Sequence, residues 1–129
     1  MSVGPTAYLV NKLLDLAFRN VAWTPPAIVY VRGHVGDPGA AGTANASTQT
    51  TRYATSWAAA ASGLINISGT PEITLIGTET ISHVSYWDSP TNGAGNCLWT
   101  AQASVAKAGA ANDIIRITTA QLGFTGLAA

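Results

Sequence analysis

The chain has 129 residues, and charged side chains make up only 9% of them, against roughly 25% in ordinary soluble proteins. Its six basic and six acidic side chains cancel, so no electrostatic field favours nucleic acid or an anionic membrane as a partner. We expect a single domain over 1–129, because a chain of this length can form one core without disulfides or metals. So weakly charged a surface suits a subunit covered by its own copies or by other proteins.

The first predicted element is an amphipathic helix over Thr6–Val21. Thr6 is the expected N-cap, and Pro25-Pro26 are expected to end the helix. Two adjacent apolar rows run along it, formed by Leu9, Leu13, Leu16 and Ala17 and by Val10, Leu14 and Val21. Two apolar rows present more surface than packing against one small sheet would cover. The helix therefore either lies in a groove of its own β domain or shares its second row with a neighbouring subunit.

After the prolines, the chain consists of short runs rich in β-branched and aromatic residues, separated by turn residues. Such runs predict strands, which we place at Ala27–Arg32, Leu64–Ser68, Glu72–Thr78, Ile81–Asp88, Cys97–Ala103, Asp113–Thr119 and Gln121–Leu127. Ser56–Ser62 fits a helical turn or a bulged strand. Ala108–Asn112 is predicted to be a turn, and Ser89–Asn96 a hairpin loop that pairs its two flanking strands.

This order of elements predicts the fold class. One N-terminal α-helix (about 6–21) precedes about seven or eight short strands (about 27–127), which is typical of a mainly β protein. We therefore predict an antiparallel β-sandwich or barrel of jelly-roll or Ig-like type. Because the helix does not alternate with the strands, a parallel α/β fold is disfavoured. Within Glu72–Thr78, alternation places Ile73 and Leu75 on one face and Ile76 on the other.

Residues suited to catalysis are scarce. A hydrolase needs a nucleophile, a base and an orienting acid, and only His34 and His83 offer a conventional base. Asp37 follows His34 in a glycine-rich loop and could orient its ring, but no Gly-x-Ser-x-Gly nucleophile elbow occurs. We interpret His34 as a solvated loop histidine and His83 as a hydrogen-bonded or surface residue. The protein is therefore predicted not to be an enzyme and to have no catalytic site.

The sequence also lacks the spacings that metals and cofactors require. Two histidines and one cysteine lie far apart, and the acidic residues do not cluster as in Ca²⁺ loops. We predict no metal or cofactor. The lone Cys97 excludes an intrachain disulfide and is expected to be a buried, inert thiol. A glycosidase would need a carboxylate pair, for which the candidates are Glu72 with Glu79 and Asp88 with Asp113.

Tryptophan is the remaining feature of the composition. Four tryptophans could build a sugar-stacking platform, which would make the protein a carbohydrate-binding module. They are otherwise anchors of the core and of subunit contacts. Trp23 stands at the corner between helix and first strand, where it would wedge the helix against the sheet. The four are Trp23, Trp57, Trp87 and Trp99.

Several motifs of this chain are distinctive, namely Tyr8–Asp15, Phe18–Asn20, Trp23–Ala27, Val29–Val31, Gly36–Gly39 and Gly42-Thr43, with weaker ones at Ile81–Asp88 and Leu98-Trp99. Together they resemble a family of short virion proteins of tailed phages. The chain departs from the family pattern at Arg32–Val35 and at Gln121–Ala129. Such proteins are often labelled tail-fibre proteins, and related ones are minor or decoration proteins of phage heads. The resemblance implies a non-enzymatic structural protein of the virion.

Composition and resemblance together predict a protein made in the host cytoplasm and located in the virion. We favour a capsid decoration or minor capsid protein that binds the major capsid protein, with a tail or tail-fibre component as the alternative. A homo-oligomer is expected, and a trimer is one symmetric arrangement. The loops Gly33–Thr43 and Ser89–Asn96 are candidate contact surfaces. The candidate interface residues are Leu9, Leu13, Leu16, Trp23, Arg32, His34 and Asp37.

Overall fold

The structure, a computed structural model, describes residues 3–124. These residues form one helix and ten strands. In chain order they are β1 (Gly4–Pro5), α1 (Ala7–Arg19), β2 (Tyr30–His34), β3 (Tyr53–Ala54), β4 (Ser56–Trp57), β5 (Leu64–Ser68), β6 (Glu72–Thr74), β7 (Glu79–Trp87), β8 (Cys97–Gly109), β9 (Ile114–Arg116) and β10 (Gln121–Gly123). The prediction of a mainly β fold with one N-terminal helix is confirmed.

The largest sheet has five antiparallel strands in the order β1-β8-β7-β2-β3. Its centre is the long hairpin β7–β8, in which Tyr86 lies opposite Trp99 and Ser85 opposite Thr100. This confirms the pairing predicted across the loop Ser89–Asn96. Two smaller antiparallel sheets, β10-β5-β4 and β6-β9, complete a sandwich-like arrangement.

The hydrophobic core lies where β6 and β9 meet the main sheet. Ile73, Leu75 and Ile81 are 1%, 0% and 3% exposed, and Ile115 packs against them. Ile76 is 59% exposed. The predicted alternation within Glu72–Thr78 is therefore confirmed, because successive side chains of an extended chain point to opposite sides.

Several strand boundaries differ from the predicted ones because pairing partners decide where a strand ends. The first long strand is Tyr30–His34 rather than Ala27–Arg32, since β2 pairs with β7 as far as the His34–His83 pair. β8 continues to Gly109, where it pairs with Glu79. The predicted turn at Ala108–Asn112 therefore begins later than expected.

Other segments are shorter than predicted. Glu72–Thr78 and Asp113–Thr119 contribute only the three-residue strands β6 and β9, which pair with each other. Ser56–Ser62 contributes the two-residue strand β4 and no helical turn. The last strand is Gln121–Gly123, and the predicted residues 125–127 lie outside the described part. β1 was not predicted, and it adds an edge to the main sheet.

Helix α1 is capped at both ends by side-chain and backbone contacts. The Thr6 hydroxyl accepts a hydrogen bond from the Leu9 N–H (3.4 Å) and donates to the Cys97 carbonyl (2.6 Å), so the predicted N-cap also joins the helix to β8. At the other end Asn20 has a φ of 53° and donates its N–H to the Asp15 carbonyl. The helix thus ends at Arg19 with this left-handed cap, two residues before the predicted end at Val21 and well before Pro25-Pro26.

Candidate functional site

The predicted interface residues do not share one surface. Helix α1 carries three of them. Leu9 and Leu13 line an apolar groove that is described below, whereas Leu16 does not line it and is 44% exposed. Trp23 is half-buried in the segment between helix and sheet. Of the remaining three, Arg32 lines a second cavity near the start of the helix, His34 is fully buried, and Asp37 is partly buried in the loop after β2.

An apolar groove of about 360 Å³ lies between α1, the sheet β10-β5-β4 and the centre of the main sheet. Its lining has no charged side chain. Two edge-to-face aromatic pairs line it: Trp57 with Tyr86 (centroids 5.4 Å apart) and Trp99 with Phe124 (5.6 Å). The lining residues are Leu9, Leu13, Val29, Trp57, Ala60, Gly63, Leu64, Ile65, Tyr86, Leu98, Trp99, Leu122, Gly123 and Phe124. We call this surface the apolar groove.

A second apolar feature runs along α1 beside the groove. Val10, Leu14 and Phe18 follow one another at four-residue spacing and therefore lie on one face, which we call the helix stripe. Leu14 is 51% exposed and Phe18 84% exposed, and α1 has no fully buried residue. The predicted row consisted of Val10, Leu14 and Val21, but Val21 lies beyond the end of α1. Phe18 was not predicted in this row, although its four-residue spacing from Leu14 was the signal.

His34 contradicts the prediction of a solvated loop residue, because it is 0% exposed. Its Nδ1–H donates to the Ala44 carbonyl (2.8 Å), which can only accept, so Nε2 accepts from the Ser85 hydroxyl (2.7 Å). Trp87 Nε1–H donates to the same Ser85 oxygen (2.7 Å). Burial lowers the pKa of His34, and the positive charge of Arg32 lowers that pKa further. The neutral ring therefore ties the glycine-rich loop to the sheet.

The catalytic alternatives find no support in this geometry. Both ring nitrogens of His34 are engaged inside the protein, and Asp37 Oδ1 accepts from the Gly39 N–H (2.9 Å), which closes the loop turn. His83 is 8% exposed and shares a hydrogen bond with the Ser82 hydroxyl (2.8 Å), which confirms a hydrogen-bonded histidine. The lone Cys97 is buried as predicted, and burial raises its pKa to about 11.

The carboxylates considered for glycosidase chemistry hold local structure instead. Glu72 forms an ion pair with Arg116 (2.8 Å) between β6 and β9. Asp88 accepts from the Asn96 backbone N–H (2.7 Å), and Asp113 accepts from the Ala110 N–H (2.8 Å). Glu79 accepts from the Thr48 hydroxyl. Each carboxylate therefore has a structural role in its own strand pair, loop or turn.

A cavity of about 440 Å³ with a mixed polar and apolar lining lies at the N-terminal end of α1, between the two loops predicted as contact surfaces. Arg32 and Arg52 both line it, and we call it the arginine cavity. Arg32 Nη1 donates to the Asn92 side-chain oxygen (2.8 Å). Arg52 is 5% exposed, and its guanidinium lies 3.8 Å from the centre of the Trp87 ring. The remaining lining residues are Thr6, Ala7, Tyr8, Ala40, Ala41, Thr43, Trp87, Asn92, Gly93, Gly95, Asn96 and Cys97.

The tryptophans do not form one sugar-stacking platform. Trp57 and Trp99 line the apolar groove, whereas Trp87 lines the arginine cavity beneath Arg52. Among residues 3–124, no three His, Cys, Asp or Glu side chains are grouped closely enough to hold a metal ion. Over the same residues, no helix has both the length and the hydropathy to cross a lipid bilayer.

Comparison with known proteins identifies the family. The sequence model of a family described as podophage GP4 fiber I protein gp80 matches residues 4–125. Because the match covers most of the chain, the protein belongs to this family of phage fibre proteins. The resemblance to virion proteins of tailed phages is thereby confirmed. A comparison with individually curated proteins found no match.

Proposed function

We propose that this member of the fiber I family is a non-enzymatic subunit of a phage tail fibre that assembles with copies of itself. The family description names a fibre protein, which supports the tail-fibre alternative over the capsid decoration protein that the sequence analysis favoured. The observation that carries the proposed assembly is the helix stripe, which exposes apolar side chains directly beside the apolar groove.

The stripe and the groove are both apolar, so burying one against the other would remove apolar surface from water. Phe18 projects from the helix with 84% of its surface exposed, and the groove offers about 360 Å³ lined by apolar and aromatic side chains. Because both lie on one chain, Phe18 of one copy inserted into the groove of the next gives a contact that repeats from copy to copy. Such a head-to-tail contact closes into a ring when the rotation permits it. A trimer is one such ring.

The rim of the groove extends the proposed contact. Leu16, Leu64 and Phe124 are 44%, 37% and 47% exposed, and they are large apolar side chains on α1, β5 and the C-terminal end of the described chain. Full burial of a fully exposed side chain of this size contributes about 1.5–3 kcal/mol, so these partly exposed ones would each contribute roughly half as much. Their contributions add to that of Phe18 against the entropy lost on association. The low charged fraction is consistent with this, since few charges would need desolvation.

Sedimentation velocity over a range of concentrations tests the assembly. We expect the wild-type protein to form an oligomer. The dissociation constant of the Phe18→Ser oligomer should be at least tenfold higher than that of the wild type, because burial of one phenyl ring is lost. Arg19→Gln is the matched control on the charged face of the same helix, where the Arg19 side chain is 70% exposed. A wild-type protein that remains monomeric at high concentration would contradict the proposed assembly.

Labelling of intact particles tests the location. Antibody-coated gold directed at this protein should decorate tails in electron micrographs. Label confined to the heads would instead favour the capsid decoration protein that binds the capsid shell. A virion without either label would exclude both structural roles.

A further inference from the structure

The arginine cavity holds two positive charges that no carboxylate neutralises by an ion pair within the described chain. The two ion pairs in residues 3–124 are Asp15–Arg19 and Glu72–Arg116. The Nε atoms of Arg32 and Arg52 are buried and have no hydrogen-bond partner among residues 3–124. Two guanidinium groups held in one cavity repel each other, so the site would be stabilised by an anion.

The carboxylate of Asp88 does not fill that role. Burial and the positive charge of Arg32 lower the pKa of Arg52 by more than Asp88 raises it. Both oxygens of Asp88 accept hydrogen bonds from Asn96, from the backbone N–H (2.7 Å) and from the side-chain amide (3.1 Å). Its charge is therefore directed toward the hairpin loop.

Helix α1 adds positive potential at the same place. Its first residues Ala7 and Tyr8 line the cavity, and the first turn contains no acidic residue. The N–H groups of a first turn have no intrahelical acceptor, and the helix dipole places partial positive charge there. Lys12 lies 5.7 Å from the centre of the Tyr8 ring and adds a further cation beside it.

The walls of the cavity are held in place before any ligand arrives. Gly42 has a φ of +72°, and a Cβ there would lie 2.4 Å from Cys97 Sγ. Gly95 also has a φ of +72°, and its Cβ would lie 2.4 Å from Asp88 Oδ1. Arg52 Nη1 donates to the Ser89 and Ala94 carbonyls of the same loop (2.9 and 2.8 Å). A preformed site of this kind loses little entropy on binding.

We propose that the arginine cavity binds a carboxylate-bearing sugar of the uronic acid class. Its volume of about 440 Å³ exceeds what a small inorganic anion fills and accommodates a monosaccharide. The planar guanidinium of Arg32 suits bidentate binding of a carboxylate, which would replace its present hydrogen bonds from Nη1 to Asn92 Oδ1 (2.8 Å) and from Nη2 to the Ser47 carbonyl (3.5 Å). Asn92, Asn96 and Thr43 supply amide and hydroxyl groups for sugar hydroxyls, and Tyr8 supplies an aromatic ring.

Titration calorimetry and amide chemical shifts of the whole protein test this proposal. Sodium glucuronate is the probe, and glucose and inorganic phosphate are the comparison ligands. We expect glucuronate to bind and to shift the amides of Gly93 and Gly95, with no binding of glucose and at least tenfold weaker binding of phosphate. Arg32→Gln should weaken glucuronate binding at least tenfold, and Arg32→Lys should weaken it less because the charge remains.

Two variants control this measurement. Arg116→Gln removes an exposed arginine that is paired with Glu72 outside the cavity, so it should bind glucuronate like the wild type. Phe18→Ser should also bind normally, which separates this site from the proposed assembly. Failure of the wild type to bind glucuronate, equal binding of glucose or phosphate, or unchanged binding by both Arg32 variants would overturn the proposal. Thermal unfolding of each variant establishes that it is folded.

Discussion

Helix α1 borders two opposite kinds of surface. At its N-terminal end, the arginine cavity is walled by loops that are fixed by hydrogen bonds and by close glycine contacts. Along its length, the helix stripe and the apolar groove, which Leu9 and Leu13 line, expose large apolar side chains. The first region is held together by buried polar contacts within the chain. The second leaves apolar surface exposed that a partner would cover.

This difference separates the expected effects of mutation. Changes at the cavity walls should reduce the free energy of unfolding, because the groups there are buried and mutually bonded. Changes on the helix stripe should leave the isolated chain nearly unaffected, because its side chains already face solvent. The following predictions test that separation, beginning with the largest expected loss of stability.

Gly42→Ala should have the largest effect. Its new Cβ would clash with Cys97 Sγ, and overpacking together with a left-handed backbone conformation destabilises by about 2–5 kcal/mol. Gly93→Ala is the matched control, since its φ is also positive (+82°) but its Cβ would meet nothing within 4 Å. Urea unfolding should therefore show a clearly smaller loss for Gly93→Ala. Equal losses would mean that the contact with Cys97 does not constrain the loop.

The buried His34 should make the stability depend on pH. Burial lowers the pKa of His34 in the folded protein, whereas in the unfolded chain the pKa of this histidine is about 6.5. The unfolded state therefore binds more protons as the pH falls below that value, so stability present above about pH 6.5 is lost on acidification. Urea unfolding at several pH values between 7.5 and 5 measures this loss.

His34→Gln is the variant that assigns this dependence. It should lower the free energy of unfolding at pH 7.5 by about 1–3 kcal/mol, because the hydrogen bonds to Ala44 and Ser85 are disturbed. It should also flatten the pH dependence between 7.5 and 5. A slope that is the same in wild type and variant would assign the pH dependence to other groups.

Thr6→Ala tests the N-cap of α1, which also lines the arginine cavity. The variant loses the N-cap and the hydrogen bond to the Cys97 carbonyl, and loss of an N-cap typically removes about 0.5–2 kcal/mol. Thr6→Ser keeps the hydroxyl and should lose much less. Hydrogen exchange along α1 should accelerate in the alanine variant, and unchanged protection would show that packing alone holds the helix.

Leu14→Ser should have the smallest effect on the isolated chain. Since Leu14 is half exposed, the free energy of unfolding of the monomer should change by no more than about 0.5 kcal/mol. Its effect should appear in the assembly, which we expect to weaken as for Phe18→Ser. Strong destabilisation of the monomer would instead place Leu14 in an intramolecular contact.

Local patterns were sufficient for much of the fold. Alternation placed Ile73 and Leu75 inside and Ile76 outside, because a strand's side-chain period depends only on its extended backbone. The N-cap Thr6 was likewise predictable, because capping involves residues adjacent in sequence. Strand ends were not, since β2 and β8 stop where their partners stop.

Sequence patterns were sufficient to predict the mainly β class, the N-terminal helix, the hairpin across Ser89–Asn96 and the membership in a phage virion family, because each depends on local periodicity, turn residues or contiguous motifs. The folded structure was needed to show that His34 is buried, that Arg32 and Arg52 share a cavity, and that an apolar groove opens beside the helix stripe. These features join residues far apart in the chain, and their burial depends on which surfaces meet after folding.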